Sequence, residues 1–373
     1  MHLFLVDLFI STDVLSPIIN QLGKKKAIIC NINPIQDHKK NNLIKYLLKK
    51  KIKYFNFLPV DKKKTLHYLI TKIVLSLPCF ILKRLRRPIK NTYLNSNFTS
   101  ENEIKKFLLN NNIRSITYEE SAPENYVSLF YKVAKELRIQ VVKVTSGIGV
   151  IKNKSVINNS KMKFCDKVLL PNKMYFIDKR FIKKAIIIGS LRYTVSWFKT
   201  LNEIQGKMKI NNKKIVLGFF KKFYSKEKKT VDSLIEKLQN LKKFNIITRE
   251  KPRDIFPVKC NIFEEDSFSS SQLIDCSKFI LTARPTSILA EALIKNKTVL
   301  LLFYANSELY RTPFNSSKAF FKVKKESDVL KILNNNRFIS KTLKNKFLSK
   351  VLYNWNKPNI IKKDLRLFYN SLI

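Results

Sequence analysis

At 373 residues the chain is too long for one small domain and has a comfortable length for two. Its hydrophobic content of 45% is ample for buried cores. Five dispersed cysteines with no C-x-x-C pair exclude a disulfide framework and favour reduced thiols in a cytoplasmic protein, and three isolated histidines form no readable zinc site. No basic stretch precedes an apolar segment at the start of the sequence, so no signal peptide is predicted.

The formal net charge is +46, from 73 basic and 27 acidic residues. A charge of this size indicates a nucleic acid, an anionic membrane surface or a phosphorylated substrate as partner. The alternative is compositional drift on solvated faces, because Lys, Asn, Ile and Phe are abundant and Gly is rare, as an A/T-rich coding sequence would give.

Apolar runs alternate with helical periodicity through the first part of the chain. They predict strands at residues 3–10, 26–31, 52–57, 115–118 and 140–145, with helices at residues 14–22, 39–51, 103–110 and 126–137. Residues 11–13 are predicted as a polar turn. This alternation is typical of a Rossmann-like domain. Neither G-x-G-x-x-G nor the Walker A pattern occurs, so nucleotide binding is expected in the second half.

Residues 66–87 combine a strongly apolar stretch with a basic end. The stretch contains Lys72 and Pro78, and its apolar core is shorter than the roughly 20 residues of a membrane-spanning helix. One interpretation is an interfacial segment whose basic end contacts anionic lipid headgroups. The alternative is a buried helix under a basic loop.

Polar side chains follow two of the predicted strands. Glu119 and Glu120 follow the fourth strand, and Ser146 and Gly147 follow the fifth. Ligands of open α/β sheets sit outside the carboxyl ends of the strands. Glu119 or Glu120 is therefore a candidate general base for an acceptor hydroxyl, the alternative being a helix N-terminus enriched in carboxylates. Asp7 is grouped with Ser146 and Gly147 as an acceptor or cleft residue.

A second Rossmann-like alternation follows the polar, lysine-rich residues 199–214, which are predicted as a linker. Strands are predicted at residues 215–220, 244–248, 261–263 and 319–323, and a helix at residues 227–241. Residues 340–373 are predicted as an amphipathic helical tail.

The most informative stretch, residues 271–304, reads SQLIDCSKFILTARPTSILAEALIKNKTVLLLFY. Its pattern predicts a βαβ unit of a parallel sheet covered on both faces. Thr286 and Ser287 lie where the helix begins, so their hydroxyls and the free backbone N–H groups would hold a phosphate. Glu291, one turn later, would reach a sugar hydroxyl of the same ligand. The alternative is an ordinary helix cap.

These residues resemble a signature of two-domain GT-B glycosyltransferases that build surface polysaccharides, such as CDP-glycerol glycerophosphotransferases and Kdo and sialic acid transferases. The matching positions are Asp275, Ser277, Thr286, Ser287, Glu291, Ala292 and Leu293. In that family, the turn and helix grip the donor nucleotide. The resemblance therefore implies a donor site that also contains Arg284.

Two shorter elements carry the same resemblance. The segment IIIGSLRYTVSW at residues 186–197 is similar to the family's passage between domains, and it implies that Gly189 forms a turn while Arg192 is either structural or faces the cleft. Lys251 and Arg253 stand where the family shows K-x-H-P-R, which implies contacts with donor phosphates; the alternative is a solvated basic loop. The family's histidines after the fifth strand and in this motif are missing, so no role is transferred from them.

The expected fold is α/β, with two Rossmann-like domains facing across a cleft. The expected boundaries are residues 1–197 for the acceptor domain, 198–340 for the nucleotide-donor domain, and 341–373 for a helical tail that returns to the first domain. In GT-B proteins such a tail packs on that domain.

The expected activity is transfer of a sugar or polyol phosphate from a nucleotide-activated donor to a glycan or lipid-linked acceptor. The donor is a substrate, so no cofactor is expected, and the lack of a D-x-D pair disfavours a metal. An anionic membrane surface is a further candidate partner, which would make the cytoplasmic protein peripheral on the inner membrane face. Three rivals stay open: a nucleotide-sugar 2-epimerase of the same fold, a basic nucleic-acid-binding protein, and a scaffold without catalysis. The nucleic-acid hypothesis is disfavoured because no RRM, KH or zinc-finger pattern occurs.

Overall fold

The computed structural model describes residues 1–7, 9–32, 38–55, 99–145, 159–173, 179–206, 214–219, 225–241, 243–249, 269–283, 287–305 and 315–372.

The first sheet contains seven parallel strands in the order β3-β2-β1-β4-β5-β6-β7. Its strands are β1 (His2–Val6), β2 (Ala27–Asn31), β3 (Lys53–Phe55), β4 (Ser115–Glu119), β5 (Gln140–Val144), β6 (Lys167–Leu170) and β7 (Ala185–Ile187). The central strands are buried along their whole length because both faces of the sheet are covered.

The second sheet contains five parallel strands in the order β12-β11-β10-β8-β9. They are β8 (Lys214–Phe219), β9 (Phe244–Arg249), β10 (Phe279–Thr282), β11 (Thr298–Leu302) and β12 (Phe321–Val323). The predicted βαβ unit is present, with Phe279 opposite Thr298 in parallel register.

The helices of the described part cover both sheets. They are α1 (Phe9–Leu22), α2 (Asn42–Lys49), α3 (Glu101–Asn110), α4 (Glu124–Glu136), α5 (Val195–Gln205), α6 (Ser225–Asn240), α7 (Ser270–Cys276), α8 (Ser287–Ile294), α9 (Glu326–Asn334), α10 (Lys341–Val351) and α11 (Pro358–Ser371). Residues from α1, α2 and α11 pack on one face of the first sheet, and residues from α3 and α4 pack on the other. The second sheet is enclosed in the same way by α5, α7, α8 and α10 on one face and by α6 and α9 on the other. The predicted fold class, two Rossmann-like α/β domains, is confirmed.

The chain crosses between the sheets directly after β7. Gly189 has φ +91°, a short 3₁₀ helix follows at Leu191–Tyr193, and the Thr194 hydroxyl accepts a hydrogen bond from the N–H of Trp197 at 3.3 Å to cap α5. Trp197 and Phe198 are then buried with the second sheet.

The two last helices pack on different sheets. Phe347 and Leu348 of α10 lie in the core of the second sheet, whereas Ile361 and Leu365 of α11 lie in the core of the first. Tyr369 of α11 reaches β4, where its hydroxyl is 3.1 Å from the Thr117 hydroxyl.

Three predicted elements were wrong in part or in whole. The first strand ends at Val6, not at residue 10, and the predicted turn at residues 11–13 lies inside α1. The apolar run continues across this boundary because Phe9 and Ile10 already belong to the helix, so hydrophobicity alone could not place it. Most of the predicted linker's first half is also helical, since α5 extends to Gln205 and buries Leu201 as well as Phe198.

Buried His2 is expected to make stability pH-dependent. Its side chain is 1% exposed, Nδ1 lies 2.8 Å from the Ser115 hydroxyl, and its ring packs edge-on against Tyr369. Burial, reinforced by nearby positive charges that include Lys26 and Arg114, lowers the pKa of His2 from 6.5 to about 4. As the pH falls, His2 is therefore protonated in the unfolded chain before it is protonated in the folded chain. The contribution of neutral His2 to stability is complete above pH 6.5 and is lost as the pH falls towards 4.

Through His2, the wild type is expected to lose about 2 kcal/mol of stability between about pH 7.5 and about pH 5. The variant His2→Gln should not show this part of the acid loss. Urea unfolding of both proteins at the two pH values measures the difference. An unchanged acid loss in His2→Gln would show that other groups cause it.

Candidate functional site

Each sheet has one topological switch point, where neighbouring strands lead to opposite sides. In the first sheet the switch lies between β1 and β4, and in the second it lies between β10 and β8. Crevices at the carboxyl ends of such strand pairs are the usual ligand sites of open α/β sheets. Asp7 and Glu119 lie at the first switch point, and α8 begins just after the second.

Glu119, the last residue of β4, is fully buried. Its Oε2 accepts hydrogen bonds from the Ser121 N–H at 3.0 Å, from the Ser121 hydroxyl, and from the Ser11 hydroxyl of α1 at 3.4 Å. These donors stabilise the ionised carboxylate and fix its position beside the start of α1.

Glu120 is directed to a different environment. Its Oε1 lies 3.4 Å from the ammonium of Lys143, a side chain that is 1% exposed, and the same ammonium lies 3.6 Å from the Met162 sulfur. Burying Lys143 requires a partner charge, and Glu120 supplies it. Of the two candidate bases, Glu120 is thus engaged in an ion pair with Lys143, and Glu119 is the stronger candidate.

Arg192, in the 3₁₀ helix between the domains, is the common neighbour of carboxylates from both domains. Its Nη2 lies 3.6 Å from Oδ2 of Asp13, and its guanidinium lies over the Tyr193 ring at 5.5 Å. Burial alone would lower the pKa of Arg192, but Tyr193, Asp13, Glu291 and Glu119 together raise it above its usual value. Arg192 is thus a stable cation within electrostatic reach of Glu119 from the first sheet and Glu291 from α8.

Glu291 is held by an ion-pair cluster on the second domain. Its Oε1 lies 3.0 Å from the ammonium of Lys295, one helical turn later. Lys295 is 9% exposed and also donates to Asp275 at 2.9 Å and to the Ser271 carbonyl and hydroxyl at 3.0 and 2.6 Å. Its ammonium lies 5.1 Å from the centre of the Phe198 ring of α5. Lys295 therefore fixes the position of the Glu291 carboxylate on α8.

A second buried polar group lies behind the first switch point. His38 is fully buried, with Nε2 2.9 Å from the Asp7 carbonyl oxygen and Nδ1 3.4 Å from the Thr12 hydroxyl. The Asp7 side chain is only 6% exposed. These contacts join the end of β1, the start of α1 and the segment after β2.

The remaining predicted site residues lie outside the described part of the chain, as do residues 66–87. They are Ser146, Gly147, Lys251, Arg253, Arg284 and Thr286. Ser287 is described as the first residue of α8. Their assignment to a donor or acceptor site stays a prediction.

Four residues at or near this site were not predicted from the sequence: Asp13, His38, Ser121 and Lys295. Two of them carried a signal, since Lys295 follows Glu291 at the spacing of a helical ion pair and Ser121 follows Glu119 at the spacing of a local side-chain to backbone motif. Asp13 and His38 carried none, because their partners come from distant segments.

No helix of the described ranges is long and apolar enough to cross a membrane.

No protein-family model matches the chain, and no curated protein sequence matches it. Solved structures share its architecture over almost its whole length. A Listeria monocytogenes protein described as a UDP-N-acetylglucosamine 2-epimerase has a TM-score of 0.60 at 11% identity, with 99% of this chain and 96% of the other covered. S. aureus MnaA, solved with UDP, has a TM-score of 0.58 at 13% identity, with coverage of 100% and 97%. The calicheamicin glycosyltransferase CalG4 has a TM-score of 0.52 at 8% identity, with coverage of 99% and 98%.

At such low identity these similarities establish the fold. The chain has the GT-B architecture of glycosyltransferases and UDP-N-acetylglucosamine 2-epimerases, as the sequence resemblance predicted.

Proposed function

We propose that this GT-B chain is an enzyme acting on a nucleotide-activated sugar or polyol, with the nucleotide bound at the switch point of the second sheet. The observation that carries the proposal is the position of Arg192 in the 3₁₀ helix between the domains, where it lies 3.6 Å from Asp13 of the first domain and interacts electrostatically with Glu119 and with Glu291 of the second. A charge cluster assembled from two domains beside the start of a helix suits a phosphorylated ligand bound between them.

In the proposed site, the nucleotide phosphates lie against the N-terminus of α8, where the first backbone N–H groups have no partner within the helix. Thr286, Ser287, Arg284, Lys251 and Arg253 would complete this phosphate site. Glu291, held by Lys295 at 3.0 Å, would accept a hydrogen bond from a sugar hydroxyl of the nucleotide.

The first candidate reaction is transfer to a glycan or lipid-linked acceptor. The acceptor hydroxyl attacks the donor while Glu119 takes its proton, and the bond to the nucleotide phosphate breaks. Arg192 and the N-terminus of α8 stabilise the negative charge that develops on the departing phosphate.

The second candidate reaction is epimerisation of the nucleotide sugar itself, and the burial of Glu119 favours it. A fully buried carboxylate can exchange a proton with a small substrate that is enclosed beside it. A large glycan acceptor would have to enter the interior of the protein to contact the same carboxylate. Inverting a carbon centre needs one group that removes a proton and one that returns it, and a positioned Glu119 can serve as one of them.

Turnover of nucleotide sugars without any acceptor separates the two reactions. The protein is incubated with UDP-, CDP- and GDP-sugars, and the mixture is resolved by chromatography and NMR. Epimerisation gives a new nucleotide sugar with no free nucleotide, whereas transfer gives nucleotide release that rises when a glycan or lipid-linked acceptor is added. Either result should disappear in Glu119→Gln. If the protein binds none of these compounds, the proposal is wrong.

A further inference from the structure

The loops that lead into the strands of the first sheet gather at its amino edge, because all its strands are parallel. In the described part these loops are strongly basic. They contain lysines at residues 24–26, Lys50 and Lys51, Arg114, Arg138, and the 3₁₀ helix Lys179–Lys184 with its sequence KRFIKK. We call this surface the basic edge. Since each loop leads into a different strand, the fold collects on one face charges that are dispersed in the sequence.

The carboxylates described close to the basic edge are already paired. Asp166, before β6, forms an ion pair with Lys135, and Glu136, in the last turn of α4, lies 3.5 Å from Lys105. They therefore do not offset the loop cations. At the opposite edge of the same sheet lie the buried carboxylates Asp7 and Glu119.

Apolar side chains are exposed among these cations. Leu109, at the end of α3, is 56% exposed, and Ile182, within KRFIKK, is 61% exposed. Leu109 also lines an open cavity of about 550 Å³ between the loops that precede β1, β2, β4 and β5. The walls of this cavity combine apolar residues with Lys25, Lys26 and Arg114.

The positive charges at this edge affect the protonation of His2. Lys26 and Arg114 both contribute to the lowered pKa of His2, in addition to burial.

We propose that the basic edge is a docking surface for an anionic lipid bilayer. Lysine and arginine side chains would contact the anionic headgroups, while Leu109 and Ile182 enter the boundary between headgroups and acyl chains. Single-stranded nucleic acids bind through exposed aromatic side chains, whereas the large hydrophobic side chains most exposed on the described basic edge are aliphatic. The bilayer therefore fits this surface better than a nucleic acid does.

Docking at the basic edge would direct the candidate site away from the bilayer. The strands between the two edges are about five residues long, so Asp7 and Glu119 lie on the order of 17 Å from the basic edge. This inference does not depend on the proposed reaction, because none of its residues belongs to the site at Arg192.

Co-sedimentation of the full chain with lipid vesicles tests the docking surface. The variant Lys24→Gln/Lys25→Gln/Arg114→Gln removes three charges from the basic edge, and Lys341→Gln/Lys346→Gln/Lys350→Gln removes three exposed charges from α10. The wild type is expected to bind phosphatidylcholine vesicles only when they contain phosphatidylglycerol, and more weakly as salt is added. The edge variant should bind about 100-fold more weakly, at roughly fivefold per charge, while the α10 variant changes little.

A neutral substitution tests the apolar contact separately. Leu109→Gln should weaken vesicle binding by about tenfold without altering its salt dependence. Thermal unfolding of each variant shows that it is folded. Equal losses in the edge and α10 variants, or no binding of the wild type to anionic vesicles, would overturn the proposal. So would an edge variant that keeps vesicle binding but loses binding to a DNA or RNA oligonucleotide.

Discussion

Gly189→Ala is expected to lower the free energy of unfolding by about 3 kcal/mol or more. Gly189 has φ +91°, where a side chain is strained, and an added Cβ would lie 2.5 Å from the Tyr353 carbonyl oxygen and 3.1 Å from Cδ1 of Ile361. Tyr353 is itself fixed, because its N–H donates to the Pro171 carbonyl at 2.9 Å. The crossing between the domains, the tail and the loop after β6 meet at this glycine, so the methyl group must displace backbone.

Gly23→Ala is the matched control. Gly23 has φ +74° but no atom within 4 Å of the position of an added Cβ, so its replacement adds backbone strain alone, about 1 kcal/mol. Urea unfolding of both variants measures the difference. Equal losses at the two positions would show that the tail does not constrain the crossing.

Arg192→Met is expected to lower turnover of a nucleotide-sugar substrate by about 100- to 1,000-fold. In the proposed site the substitution would remove the cation that stabilises developing phosphate charge, and it removes a positive charge that interacts with Glu119 and Glu291. Arg337→Met, on the exposed end after α9, removes an equal charge and should leave turnover unchanged.

A double-mutant cycle separates this role from general destabilisation. Arg192→Met should also lower the free energy of unfolding by about 1–3 kcal/mol, since buried Glu119 loses a nearby positive charge. Glu119→Gln/Arg192→Met should recover part of that stability but none of the activity. Full activity in Arg192→Met would remove Arg192 from the site.

The sequence was most informative where local pattern and fold agree. Continuous apolar runs around Phe279 and Thr298, with a helical period between them, predicted the βαβ unit because each part depends on neighbouring residues only. The position of Ser287 at the start of α8 followed from the same pattern. Strand order was beyond such reasoning, and with it the switch points that bring Asp7 and Glu119 together.

The arrangement of the candidate site depended on contacts between distant segments. Glu119 and Glu120 are adjacent in sequence, yet one faces Ser11 and the other pairs with buried Lys143. Successive residues of a strand point to opposite faces, so the two side chains were expected to diverge, but the local pattern does not show which of them faces Ser11. The position of Arg192 between two domains likewise follows only from how the domains pack.

The functional meaning of the net charge also could not be predicted from the sequence. The sequence spreads its basic residues along the chain, and compositional drift accounts for that as well as function does. The parallel topology gathers part of these charges at the basic edge, where Arg114 and Lys25 line one cavity.

Thermal unfolding with CMP, CDP, UDP and GDP is the most direct test for a nucleotide site between the domains. One of these nucleotides is expected to stabilise the wild type by about 2.7 kcal/mol at a concentration of about 100 times its Kd. Glu291→Gln should weaken that binding by about tenfold, whereas Glu203→Gln on the exposed face of α5 should not. If no nucleotide stabilises the protein, or if both variants respond as the wild type does, the site at Glu291 and Arg192 does not bind a nucleotide.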